Sequence, residues 1–139
     1  MFSKILLATD GSEHASRAAE KAATIALSNS DSKVTMIYVI DVSTSKSDVL
    51  SAGSKEKLEE NRKRKLQNAE EILTENNVEY EVHILRGEPG PTIVKYANEN
   101  QYDLVVIGSR GLNSFQEMVL GSVSHKVAKR ANSPVMIVK

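Results

Sequence analysis

Two patterns alternate along the whole sequence, and this alternation limits the possible folds more than any other feature. Short apolar runs stand at Ile5–Ala8, Val34–Ile40, Val78–Leu85, Leu104–Ile107 and Val135–Val138. They are rich in Val and Ile, and several show no polar alternation, as expected of strands buried on both faces of a parallel sheet. The third run differs, because Glu79, Glu81 and His83 alternate with Val78, Tyr80, Val82 and Ile84. One face of that strand is expected to meet water, which places it at a sheet edge.

Helical spacing fills the intervals. Ala15, Ala18, Ala19, Ala22, Ala23 and Ala26 form a small-residue stripe behind an Asp-Gly-Ser turn, with Ser12 as the expected helix cap. A second helix is expected from about Lys55 to Glu75, with Leu66, Ala69 and Leu73 inward. A third starts near Pro89–Pro91 and carries Ile93, Val94 and Ala97. The fourth opens at Gly121-Ser122, turns Val123, Val127, Ala128 and Ala131 inward, and stops before Asn132-Ser133-Pro134. The order β-α-β-α-β-α-β-α-β specifies an α/β fold with a parallel sheet and right-handed crossovers. With 139 residues and no internal repeat, the chain reads as one domain over 1–139. The Ser-, Thr- and Lys-rich stretch Val42–Lys57 reads as a loop on the second crossover.

A parallel sheet gathers the C-terminal ends of its strands on one side, where ligands of such folds bind. Two segments stand there. The first is Ala8-Thr9-Asp10-Gly11-Ser12, for which a plain turn with a helix cap competes with a ligand role, and both can hold together. The second is Gly108-Ser109-Arg110-Gly111, nine residues, and then Gly121-Ser122-Val123-Ser124 opening the last helix. Glycines admit close approach of backbone N–H groups to an anion and permit positive φ. A helix N-terminus offers free N–H groups and the favourable end of the helix dipole to phosphate. Ser122 and Ser124 add hydroxyls, and Arg110 adds a charge.

These residues resemble those of the universal stress protein family, in its single-domain, ATP-binding branch. The glycine signature of that branch, G-x-x-G, nine residues, then G-S or G-T, is met by Gly108, Gly111, Gly121 and Ser122. The opening Ile5–Ser12 and the ending Ser133–Val138 match the family as well. The resemblance implies a three-layer fold with five parallel strands in the order 3-2-1-4-5 and four helices, similar to the adenine nucleotide α-hydrolases. It implies that Asp10 contacts the ribose or adenosine end and that Val39 offers backbone hydrogen bonds to adenine. Gly108, Arg110, Gly111, Gly121, Ser122, Val123 and Ser124 are then expected around ribose and phosphates. ATP is the implied ligand, with ADP or AMP as alternatives, and Mg²⁺ or Mn²⁺ is expected to arrive with the phosphates. The family also implies a homodimer through strand 134–139, a regulatory stress-response role, and a protein partner that the sequence does not name.

Composition excludes several other roles. Eighteen basic residues balance eighteen acidic ones, so the chain lacks the basic surplus that drives nucleic-acid binding. The run Arg62-Lys63-Arg64-Lys65 reads as a solvated helix surface, with Glu59–Lys63 and Glu60–Arg64 spaced to pair. Without cysteine there is no disulfide, thiolate metal site or cysteine nucleophile. The first apolar run is too brief for a membrane span, so a cytoplasmic protein without membrane contact is expected. His14, His83 and His125 are too scattered for a dedicated metal centre. Leu112, Phe115, Met118, Val119 and Leu120 are unusually apolar for a loop and are expected to pack locally or on a partner. No G-x-x-x-x-G-K-S/T and no nucleophile elbow occurs, so efficient turnover is not expected. The rival reading is a slow ATPase or nucleotidyl-transfer enzyme at the same site, with Glu13 or His14 as acid–base candidates.

Overall fold

The computed structural model describes residues 2–41, 53, 55–110 and 121–139. Nine elements follow in chain order among them: β1 (Lys4–Thr9), α1 (Glu13–Leu27), β2 (Lys33–Ile40), α2 (Lys55–Glu75), β3 (Glu79–Arg86), α3 (Pro89–Asn100), β4 (Leu104–Gly108), α4 (Ser122–Arg130) and β5 (Val135–Val138). The strands form one sheet in the order β3-β2-β1-β4-β5, every pair parallel. Register is fixed by pairs such as Ile5↔Val34, Ile5↔Leu104 and Val105↔Val135.

Alternation along the central strands sends side chains to opposite layers. Ile5 and Leu7 of β1 and Val106 of β4 join the alanines of α1 and Leu66, Ala69 and Leu73 of α2. Leu6, Ala8, Val105 and Ile107 join Ile93 and Ala97 of α3 and Val127 of α4. The result is three layers, with α1 and α2 on one face and α3 and α4 on the other. The stripe from Ala15 to Ala26 is buried throughout, so small side chains let α1 lie close against the sheet.

β3 is an edge strand, as its alternation predicts. Tyr80 and Val82 pack inward while Glu81 and His83 stay exposed. The Glu81 carboxylate lies 3.2 Å from both His83 Nε2 and Lys33 Nζ. Hydrogen bonds from His83 and then Lys33 hold its pKa below the ordinary carboxylate value. Across the α3 face, Tyr96 stacks on Tyr102, and burial pushes the Tyr96 phenol up to about 12.

Four details depart from the sequence reading. Leu58 joins the buried stripe of α2. Ala128 is exposed, because it falls to one side of the arc that Val123, Ser124 and Val127 define on the short helix α4. Residues 55–57, shared by the expected loop and the expected helix Lys55–Glu75, belong to the helix, which has the expected bounds, while 42–52 and 54 lie outside the described residues. Arg62 and Lys65 are half-buried, so the basic run is not a uniformly solvated surface. Of its two expected ion pairs, Glu60–Arg64 closes to 3.9 Å between exposed side chains and Glu59–Lys63 does not close. No helix among the described residues is long and apolar enough to cross a membrane.

Candidate functional site

At the C-terminal end of β1 the chain turns sharply, and its own side chains hold the turn. Asp10 Oδ1 accepts from the Ser12 N–H at 2.9 Å, and Thr9 Oγ1 accepts from the Gly11 N–H at 3.3 Å. Gly11 adopts φ +82°, which favours glycine. Space demands glycine there too: a Cβ would stand 2.6 Å from Cβ and 3.1 Å from Cα of Lys65, where α2 crosses the turn. Ser12 then caps α1, its Oγ accepting from the Ala15 N–H at 3.1 Å. The turn-and-cap reading of Asp10-Gly11-Ser12 therefore holds, and Asp10 is half-buried.

The neighbouring strand β4 ends in a second knot. A Cβ on Gly108 would lie 2.9 Å from the carbonyl carbon and 2.9 Å from Cβ of His14, so the first turn of α1 rests directly on this glycine. Ser109 is buried; its N–H donates to Val138 O at 2.7 Å and its carbonyl accepts from the Gly121 N–H at 2.8 Å. Gly121 sits so close that a Cβ would come within 3.1 Å of Ser109 O. Ser124 is buried, and its Oγ donates to Gly108 O at 2.5 Å. Gly108 and Gly121 thus serve close packing rather than positive φ, which among the described glycines belongs to Gly11, Gly53 and Gly87. Ser124 ties α4 to β4 with the hydroxyl proton that the sequence reading offered to phosphate.

Gly121 is the N-cap of α4, and no side chain among the described residues caps this helix. The first internal bond of α4 runs from the His125 N–H to Gly121 O at 2.9 Å. Ahead of it, the N–H groups of Ser122, Val123 and Ser124 meet no acceptor among the described residues. Such first-turn donors, at the positive end of the helix dipole, suit an anion.

Register brings the expected contacts to one end of the sheet. Asp10 and Val39 each lie one residue beyond the pair Thr9↔Tyr38, and Gly108 follows the pair Ala8↔Ile107 on the other side of β1. Adjacent strands lie about 4.8 Å apart. Asp10, Val39, Gly108, Gly121, Ser122 and Val123 therefore share one end of the sheet, and half-buried Arg110 adjoins them. Gly111 and the apolar residues Leu112, Phe115, Met118, Val119 and Leu120 lie outside the described residues. Sequence reasoning missed Ser109 and the crossing of Lys65 over Gly11. Both are contacts between distant segments, and nothing local in the chain signals them.

The acid–base candidates have structural occupations. Glu13 pairs with Arg17 at 2.7 Å, and His14 packs against Gly108. No group of three or more His, Asp or Glu among the described residues is placed to hold a metal ion.

The universal stress protein family model matches residues 1–139. Universal stress protein YxiE of Bacillus subtilis is 34% identical, and the match covers all of both chains. The solved structure of protein MJ0577, from Methanocaldococcus jannaschii, is 34% identical with a TM-score of 0.83, covering 100% of this chain and 96% of that one. Three further solved structures carry nucleotides. A universal stress protein from Archaeoglobus fulgidus in complex with dAMP is 26% identical (TM-score 0.74, all of both chains). One in complex with cAMP is 25% identical (TM-score 0.70, 99% and 96%). One from Arabidopsis thaliana with AMP bound is 25% identical (TM-score 0.69, 99% and 91%).

Proposed function

The chain belongs to the universal stress protein family, and we propose that it is an adenine-nucleotide-binding regulatory protein with ATP as its ligand. The observation that carries this reading is the N-terminus of α4, whose first amides meet no acceptor among the described residues and stand at the Gly108–Gly121 knot, at the same end of the sheet as Asp10. Related folds hold AMP, dAMP and cAMP, which supports an adenine nucleotide as the occupant. Asp10 and the Val39 backbone take the adenosine end. Ser122, Val123 and the glycine segment take the phosphates, and any Mg²⁺ or Mn²⁺ comes with them. The output is a nucleotide-dependent conformation or interaction in the cytoplasm, read by a protein partner.

Ser122→Pro isolates the phosphate contact. Proline at the first helical position fits the helix, and Gly121, at ψ 150°, already has the backbone that precedes proline. The variant loses one N–H and one hydroxyl at the site while the fold stays intact. Its affinity for ATP, measured by calorimetry, is expected to fall about tenfold, equal to roughly 1.4 kcal/mol, with an unchanged melting temperature for the free protein. Unchanged affinity would remove α4 from the phosphate site. Wild-type protein should melt higher with nucleotide, by about 2.7 kcal/mol of added stability at a hundredfold excess over Kd.

We also propose that β5 pairs with a second copy. Val135, Met136 and Ile137 are half-buried on an edge strand, and such an edge calls for cover. Light scattering should give twice the 15.2 kDa chain mass; a monomer at tens of micromolar would end this proposal.

A further inference from the structure

The sheet has two edges, and β3 forms the one away from β5. Its residues pair with β2 in a parallel register that runs from Lys33↔Glu79 to Ile40↔Arg86. The direction of its hydrogen bonds follows from the end of the strand, where the Gly87 N–H donates to Ile40 O at 3.0 Å. Peptide groups alternate sides along a strand, so Glu79, Glu81, His83 and Leu85 turn their N–H and C=O groups toward β2. Those of Tyr80, Val82, Ile84 and Arg86 point outward, and none of them meets a hydrogen-bond partner among the described residues.

Side chains match this open edge to a second copy of itself. On the α2 face Ile84 is 54% exposed, and Tyr80 and Val82 are only half-buried, so α2 leaves the strand incompletely covered. On the α3 face Glu81 and His83 are exposed. Antiparallel pairing about a two-fold axis sets each residue opposite the one equally far beyond the axis. With the axis at Val82, Glu81 faces the copy's His83, and His83 faces its Glu81. Tyr80 faces the copy's Ile84, Val82 faces its counterpart, and the charges of Glu79 and Arg86 fall at the outer ends. Moving the axis one residue sets Glu81 against Glu81 or His83 against His83. Opposite charges and aromatic–β-branched neighbours favour facing strands, whereas like charges oppose them.

We propose that β3 is an assembly edge that takes a second copy of this chain, antiparallel and centred on Val82. The outward peptide groups of Tyr80, Val82 and Ile84 bond those of the copy, and the sheet continues from one protomer into the next. Charged side chains on an edge strand deter indiscriminate pairing. Here Glu81 and His83 admit the register that matches their signs. They also make β3 the weaker edge, so it pairs at higher concentration than β5. With β5 paired as proposed above, a chain with two such edges assembles in line and does not close. Nucleotide plays no part in this contact.

Sedimentation equilibrium from tens to hundreds of micromolar tests the proposal on wild type, Val82→Pro, His83→Glu and the exchange Glu81→His with His83→Glu. Wild-type mass should rise by about twofold or more over this range. Proline at 82 removes an outward N–H and leaves the bonds to β2 in place, so that variant should hold a constant mass. His83→Glu sets carboxylate against carboxylate and should also stay constant. The exchange restores opposite signs in the same register and should restore the rise. A constant wild-type mass, a rise in His83→Glu, or a constant mass in the exchange variant overturns the proposal. His83→Glu and the exchange alter exposed side chains alone, so they decide the outcome even where Val82→Pro fails to fold. All variants leave β5 untouched, so failure of the β5 pair lowers the mass at tens of micromolar without changing these comparisons.

Discussion

Gly108→Val is expected to abolish nucleotide binding and to cost roughly 3 kcal/mol of stability, the upper end of the range for overpacking. The reason is the neighbour. A Cβ there would meet the His14 carbonyl carbon at 2.9 Å and its oxygen at 3.0 Å, and backbone has no alternative rotamer to adopt. The first turn of α1 must lift off β4, which also moves the Asp10–Ser12 turn that precedes it. Ser124 loses alignment with Gly108 O, so the start of α4 shifts as well. Urea denaturation measures the stability change, and calorimetry with ATP measures binding. A variant with wild-type stability would show that α1 and β4 have slack the packing does not display.

Leu73→Ala should destabilise the protein by about 2–5 kcal/mol, as removal of a fully buried leucine does. Leu73 is 0% exposed and lies in the layer formed by α1, α2 and the sheet. It is one of few long apolar side chains on a helix whose other faces are charged, so little is available to fill the gap. The change is far down α2 from Lys65 and Gly11, so the ATP affinity of the folded fraction should change less than threefold. Equilibrium unfolding gives the first quantity; a loss under about 1 kcal/mol would mean that α2 is anchored elsewhere.

Much of this architecture is legible in the sequence because it rests on local pattern. The five apolar runs locate all five strands to within a residue at each end, and β5 at Val135–Val138 matches fully. The wet alternation of β3 locates an edge, and Asp10-Gly11-Ser12 locates a cap that the Ser12–Ala15 hydrogen bond realises. The strand order itself is not local; it came from family resemblance, and the structure agrees with it. The chemistry of the glycines was only half legible. Composition marks Gly108 and Gly121 as positions of close approach, but the approaching groups, His14 and Ser109, come from protein rather than from ligand alone. Ser124 shows the same limit, since a hydroxyl at a helix start looks like a phosphate donor until its buried partner, Gly108 O, is seen. Four consecutive basic residues encircle a helix and so read as solvated, but the arc of Leu58, Leu66, Ala69 and Leu73 passes through Arg62 and leaves it half-buried.

β4 adds beside β1, its partner from the start of the chain, and their junction includes the Lys4–Asp103 hydrogen bond, which spans 99 residues. The Asp10 turn is synthesised early and the α4 cradle almost last. A chain emerging from the ribosome therefore holds half of the proposed site for most of its synthesis. It gains the other half only when its final segment is free to fold. On the proposed nucleotide reading, occupancy would mark a finished molecule, and a chain cut short before α4 would bind no nucleotide.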